Sequence, residues 1–381
     1  MVRFERVEPR YQRFMSLDHR AAWVGEHPGR PGREIRIEAG TSDGRISLWA
    51  VVPDWARDIL SLPPVRAQRP SVSALIFPLT FLALLVAAAV VARCNVHARR
   101  VDRRGALLVG WFVFSVTLGM NVAGAHGLLT GGEDRILSIV FLPVAFGAVL
   151  AVAYLAIEPH ARRIWPSMLV SWSRLVQQPA CVWRDPDVGR SLLWGLLAGG
   201  AILLLSPAEY FVRSVLDGAP AYPRGANWDA LLGPGHVVSD LGLALLESVS
   251  DVLTLTFVLV LTRIVLRRSV PAIAATFLVW VLFAGSESGM LTGTLPELAR
   301  LIIQSAILLA VLIRRGVLTA AVAAFVVELG WRARVSDWGA WHSRPALWAL
   351  AIFALLAFCA FRAALAGRPL LEPTTVPVQP R

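Results

Sequence analysis

Three carboxylates at helical spacing are the residues of this chain best placed to do chemistry. Asp240, Glu247 and Asp251 stand at i, i+7 and i+11 along an apolar stretch. At about 100° per residue, Glu247 and Asp251 each fall within about 20° of the line through Asp240. A carboxylate at the centre of a bilayer costs on the order of 2.5 to 3.5 kcal/mol, so the row should face protein, a cavity or a partner. Two readings stay open. The row is a proton or cation path, or it is a set of protonated or hydrogen-bonded groups that hold helices together through neighbours such as Ser248, Ser250 and Thr254. Glu328, in a later apolar stretch, joins these three as a candidate intramembrane polar site. Asn121 and His126 read as interhelical or interfacial groups.

Other patterns exclude whole classes of chemistry. The chain has 37 basic residues, and every one is an arginine. Without lysine there is no Walker-type phosphate loop, no Schiff base to pyridoxal phosphate and no strand lysine of a kinase. Gly285-Ser286-Glu287-Ser288-Gly289 has glutamate where a nucleophile elbow needs serine. Cys94, Cys181 and Cys359 are widely separated, and the histidines form no pair at metal-ligand spacing. The residues imply no enzyme activity, no metal and no cofactor.

The elements that must position the acidic row are membrane spans. At 56% hydrophobic residues and a mean hydropathy of +0.60, the chain lies far from a soluble domain. It reads as an all-α polytopic helical bundle with a small β-containing N-terminal region. Nine candidate spans of roughly 20 residues fall at about 71 to 92, 105 to 126, 136 to 157, 191 to 207, 241 to 263, 269 to 286, 296 to 313, 316 to 333 and 345 to 364. The sixth and eighth are the ones whose length also suits a tilted or re-entrant segment.

Arginine placement sets the orientation. Alternate connectors and the C-terminal end carry 18 arginines, against seven in the opposite loops. The rich side is cytoplasmic by the positive-inside rule, which puts the N-terminal region outside and the C-terminus inside the bacterial inner membrane. Residues 1 to 70 hold 12 arginines and nine acids. Within them, EIRIEAG (34 to 40) and RISLWAVV (45 to 52) alternate like half-buried strands. The organisation is therefore a β-rich region and linker at 1 to 70, a three-span unit at 71 to 157, a cytoplasmic connector at 158 to 190, a six-span bundle at 191 to 366 and a tail at 367 to 381.

The connector is the second candidate site. Trp165, Met168, Leu169, Trp172, Leu175 and Val176 recur on one face of a 3.6-residue period, with Ser167, Ser171, Ser173 and Arg174 on the other. Pro166 suits the first turn of this helix. With Arg162, Arg163, Arg184, Asp185 and Arg190 around it, the segment reads as an interfacial helix lying flat among the headgroups. Arginines here and at 93 to 104 either bind anionic lipid or a cytoplasmic partner, or only set topology. Net charge of +11 in such a chain points to lipid headgroups, not nucleic acid.

The same connector carries a family resemblance. YLAIEPHARRIWPSMLVSWSRLV and RDPDVGRSLLWG, together with VDRRGALLVGWFVFSV and LAGRPLLEP, resemble the C-terminal multi-span membrane region of receptor-like bacterial serine/threonine protein kinases of the acidobacterial type. RVEPRYQRFM and the residues up to Val52 resemble the end of that family's extracytoplasmic region. The link VQQPACVW is longer than the family pattern. The resemblance implies a non-catalytic sensory membrane module, truncated or separately encoded, with a kinase domain or other membrane subunits as partners. No kinase motif occurs in this chain. The alternative from the residues is an ion- or solute-coupled transporter using the acidic face of the fifth span.

Overall fold

A computed structural model describes residues 4–9, 18–26, 34–42, 45–53, 72–124, 132–177, 185–217, 233–288, 290–333, 338–339 and 343–365. The chain divides into two units: Met1–Ser71 with Ala125–Gly132, and Val72–Gly124 with Glu133–Arg381.

In the first unit, β1 (Glu5–Val7), β2 (His19–Glu26), β3 (Glu34–Ser42) and β4 (Arg45–Pro53) form an antiparallel sheet in sequence order. The two alternating stretches read in the sequence are β3 and β4, paired Ile37 with Val51 and Ala39 with Trp49. An irregularity between Gly40 and Thr41 shifts the register towards the turn.

The second unit is a bundle of α1 (Val72–His97), α2 (Arg103–Gly124), α3 (Gly132–Ile164), α4 (Val170–Gln177), α5 (Pro186–Leu203), α6 (Leu205–Asp217), α7 (Pro234–Leu266), α8 (Ser269–Glu287), α9 (Leu295–Arg315), α10 (Val317–Arg332) and α11 (Arg344–Leu365). Among the described residues, eight stretches are long and apolar enough to cross a membrane: Ile76–His97, Arg103–Gly124, Ile139–Ile164, Pro186–Leu216, Pro234–Leu266, Ser269–Glu287, Leu295–Arg315 and Arg344–Leu365. Large apolar side chains such as Leu107, Trp111, Phe141 and Phe211 point outward. This is a multi-pass membrane protein, and its outer surface is made for lipid.

Local chemistry sets the helix ends. Asp185 caps α5 by accepting from the Asp187 amide, with Pro186 in the first turn. Thr294 and Glu297 form a capping box at the start of α9. Inside α3, Pro159 has no N–H to give to the Leu155 carbonyl four residues earlier. Asn95 of α1 supplies the donor instead, through Nδ2 at 3.0 Å.

At the centre stands α10. Val317, Ala320 and Ala323 are fully buried there. Close approach by α5 comes from Gly195 and Gly199, where a Cβ would lie 2.6 Å from Val322 and Val326 respectively. Gly189 seats the same helix against the backbone of α11 near Ala364. On its other side α10 meets α7, a helix of 33 residues. Its length of about 50 Å exceeds the hydrocarbon thickness.

Candidate functional site

The acidic residues of α7 meet a base at the end of α10. Arg332 ends α10, and its guanidinium donates to the Glu247 carboxylate of α7. It also donates to Glu328, one turn earlier on its own helix, at 3.0 Å. Glu328 and Asp251 line one small cavity of about 50 Å³ with Gln304 and Ser305. Asp240 is buried and lines a neighbouring cleft with Arg332, Leu329 and Trp348. The structure thus gathers all four candidates, Asp240, Glu247, Asp251 and Glu328, around α7 and the end of α10. Arg332 is the residue the sequence reading did not place among them.

A second ionic network lies beside the first. Arg300 of α9 donates through Nε to Glu209 of α6 at 2.6 Å. Arg213, one turn beyond Glu209, donates to Glu297 at 3.0 Å. Glu297 also accepts from the Thr294 amide at 2.8 Å, so one carboxylate both caps α9 and ties it to α6. Two acids and two bases make this network neutral, and Glu209, Glu297 and Arg300 are buried. Arg300 stacks over the Trp331 ring at 4.6 Å and reaches towards Gln304 at 3.4 Å. Through those two residues it adjoins the Arg332 cluster.

Sequence reasoning missed the second network because α6 was not recognised. The fourth span was expected to end near 207, but it breaks at Leu204 and continues as Leu205–Asp217. A readable signal was present: Glu209 and Arg213 stand at i, i+4 in that continuation, the spacing of a helical ion pair.

The connector departs from the expected flat interfacial helix. Pro166–Leu169 is a 3₁₀ turn, and α4 follows it. Met168, Leu169 and Trp172 are buried against the bundle, in the same core as Leu312 and Val317. Amphipathic spacing reports that one face is covered, and here the cover is protein. Trp165 packs partly against that core, while Arg163, Arg174 and Arg190 are exposed.

Polar contacts fasten the connector at both ends. Arg162 pairs with Glu158 one turn earlier and approaches Asp102, at 3.8 Å, where Asp102 caps the start of α2. Arg174 donates to Asp185 at 2.8 Å and to Asp187 at 3.1 Å. Hydrogen bonding to Asp185 holds Arg174 above its ordinary pKa. Partial burial pushes the Asp185 carboxyl up, but the Asp187 amide and Arg174 outweigh it and hold the group below the usual range. Arg184, His126, Cys181 and Trp183 lie outside the described residues.

Gly316 completes the seat. Its φ of +92° and ψ of 177° fall where only glycine is comfortable, and a Cβ there would stand 2.6 Å from the Met168 carbonyl oxygen. The turn between α9 and α10 therefore presses directly on the connector backbone. Among the described residues, no group of histidine, cysteine and acidic side chains could hold a metal ion.

Compared with known proteins, the chain matches no family model, no curated protein and no solved structure.

Proposed function

We propose that this chain is a non-catalytic membrane signalling module, of the kind that forms the C-terminal region of receptor-like serine/threonine kinases. It crosses the bacterial inner membrane nine times, with Val317–Arg332 as the ninth crossing beside the eight long apolar stretches. The arginine-rich connectors face the cytoplasm, and the N-terminal sheet lies outside. Burial of Arg213, Arg300 and Arg332 in ion pairs supports this orientation, since it leaves the opposite loops with still fewer free cations.

The observation that carries the reading is the seating of the connector. The 3₁₀ turn and α4 touch α2, α5, α9 and α10, and they are locked by Gly316 on one side and Arg174 on the other. A shift of α10 against α9 must displace the connector, so it is the part positioned to report the state of the bundle to a cytoplasmic kinase. The test is affinity isolation of the tagged full-length chain from native membranes, followed by a protein-kinase assay on the eluate. Serine/threonine kinase activity should accompany the wild type and fall with Arg174→Glu. Its absence from the wild-type eluate would sink the reading.

A specific observation also favours ion coupling. Among the described residues, Glu247, Asp251 and Glu328 outnumber the Arg332 guanidinium that pairs with two of them, and a bilayer tolerates the excess charge only if protons or a cation meet it. Under that reading, proteoliposomes show a proton or cation flux that Asp251→Asn and Glu328→Gln abolish.

A further inference from the structure

The N-terminal sheet is built inside out. Strand registers put Ala22, Arg36, Glu38 and Val52 on one face and Trp23, Ile37, Trp49 and Val51 on the other. The face with the charges is the closed one: Glu38 is 2% exposed and Arg36 5%. There Arg36 donates to Glu38 at 2.8 Å and to the Glu8 carbonyl, and Arg20 approaches Glu38 at 3.8 Å. The apolar face is open along β4, with Trp49 61% exposed and Val51 55%, while Ile35 on the same face is buried. Phe4 extends it by packing over Gly25, where a Cβ would collide with its ring.

Exposed charges sort by face as well. Arg6, opposite Trp23, and His19, opposite Thr41, take register positions of the apolar face. Glu5, Glu26 and Glu34 belong to the other, where Arg20 and Arg45 also have their register positions and leave acids in excess. A sheet with aromatic and aliphatic side chains open on one side, bases at its rim and acids kept behind is complementary to an anionic lipid surface.

We propose that this face rests in the headgroup region of the bilayer, with Trp23 and Trp49 at the boundary between polar and apolar layers. Three observations choose lipid as the occupant. Tryptophan carries an apolar ring with one polar N–H, which suits that boundary. The charges are sorted towards anionic headgroups. Only residues 54 to 71 separate Pro53, the end of the exposed edge strand β4, from α1, so the sheet stays within about 60 Å of the membrane at full extension. This inference is independent of what the bundle signals or transports.

Spin labels on the full-length chain test it. Single cysteines replace Trp49, Val51, Glu26 or Glu34 in a background carrying Cys94→Ser, Cys181→Ser and Cys359→Ser. Each protein is reconstituted into vesicles of phosphatidylethanolamine and phosphatidylglycerol. The ratio of oxygen to nickel-chelate collisions should be several-fold higher at 49 and 51 than at 26 and 34. Equal, water-like ratios at all four positions would overturn the proposal. So would labels at 49 and 51 shielded from both reagents, which means protein covers the face, or a short distance between labels at 49 on two copies. Two positions on the apolar face keep the result readable if one substitution fails to fold.

Discussion

Arg332 of α10 donates to Glu247 of α7, and this pair fixes how the two most buried helices of the bundle meet. Removing the base would leave Glu247 and Glu328 facing one another without a counter-charge. Arg332→Ala is expected to destabilise the bundle, because it leaves two carboxylates of membrane helices without their counter-charge. Adding Glu247→Gln should recover part of that loss. Thermal unfolding in detergent measures both, and equal stability of wild type and Arg332→Ala would refute the assignment.

Asn95 offers a sharper test, because its partner is a carbonyl vacated by proline. Asn95→Ala leaves the Leu155 oxygen without a donor and should cost about 1 to 3 kcal/mol. In that background Pro159→Ala returns an N–H to the helix and should restore stability. If the second substitution makes matters worse, Asn95 acts in some other way.

Gly316 allows no side chain. Gly316→Ala combines a backbone conformation only glycine adopts readily with a clash against Met168, and the strain alone is of order 1 to 3 kcal/mol. Hydrogen exchange should rise first across 165 to 177, where the connector is seated, and unchanged protection there would argue against the contact.

Trp172→Ala should act on the bundle, not on membrane attachment. Loss of a buried tryptophan costs about 3 to 5 kcal/mol where it packs in a protein core. A fall in detergent stability with intact membrane partition is the expected pair of results. Release of the segment into water, with the bundle as stable as before, would restore the flat interfacial placement.

The Arg174 to Asp185 clasp carries a pH dependence. Asp185 titrates lower in the folded protein than its unfolded value of about 3.9. Its stabilisation is therefore complete at neutral pH and fades as pH drops from near that value through the lower folded one. Protection of 170 to 190 against proteolysis should weaken over that acid range. Asp185→Asn keeps the helix cap but should flatten the response.

Much of the architecture was legible in residue types alone. Runs of apolar residues fixed a multi-pass helical bundle, since only helices or closed barrels satisfy the backbone in lipid. Two-residue alternation located β3 and β4. Helical spacing also put Asp240, Glu247 and Asp251 on one side of α7, because that geometry belongs to a single helix. Glu328 came from the cost of a charge in lipid.

What the sequence could not determine was the partner of each face. Arg213, Arg300 and Arg332 stand at the ends of apolar stretches with no partner visible in the sequence, yet each is held in an ion pair with a helix far away in the chain, between 84 and 91 residues off. The Trp172 face was expected against lipid and is buried in the protein core that also holds Leu312 and Val317. The open face of the sheet showed itself only once strand registers and burial were known together. Hydrophobic period records that a face is covered or a charge is costly, and both follow from local geometry. Which atoms do the covering depends on contacts between distant segments, and only the packed tertiary structure decides those.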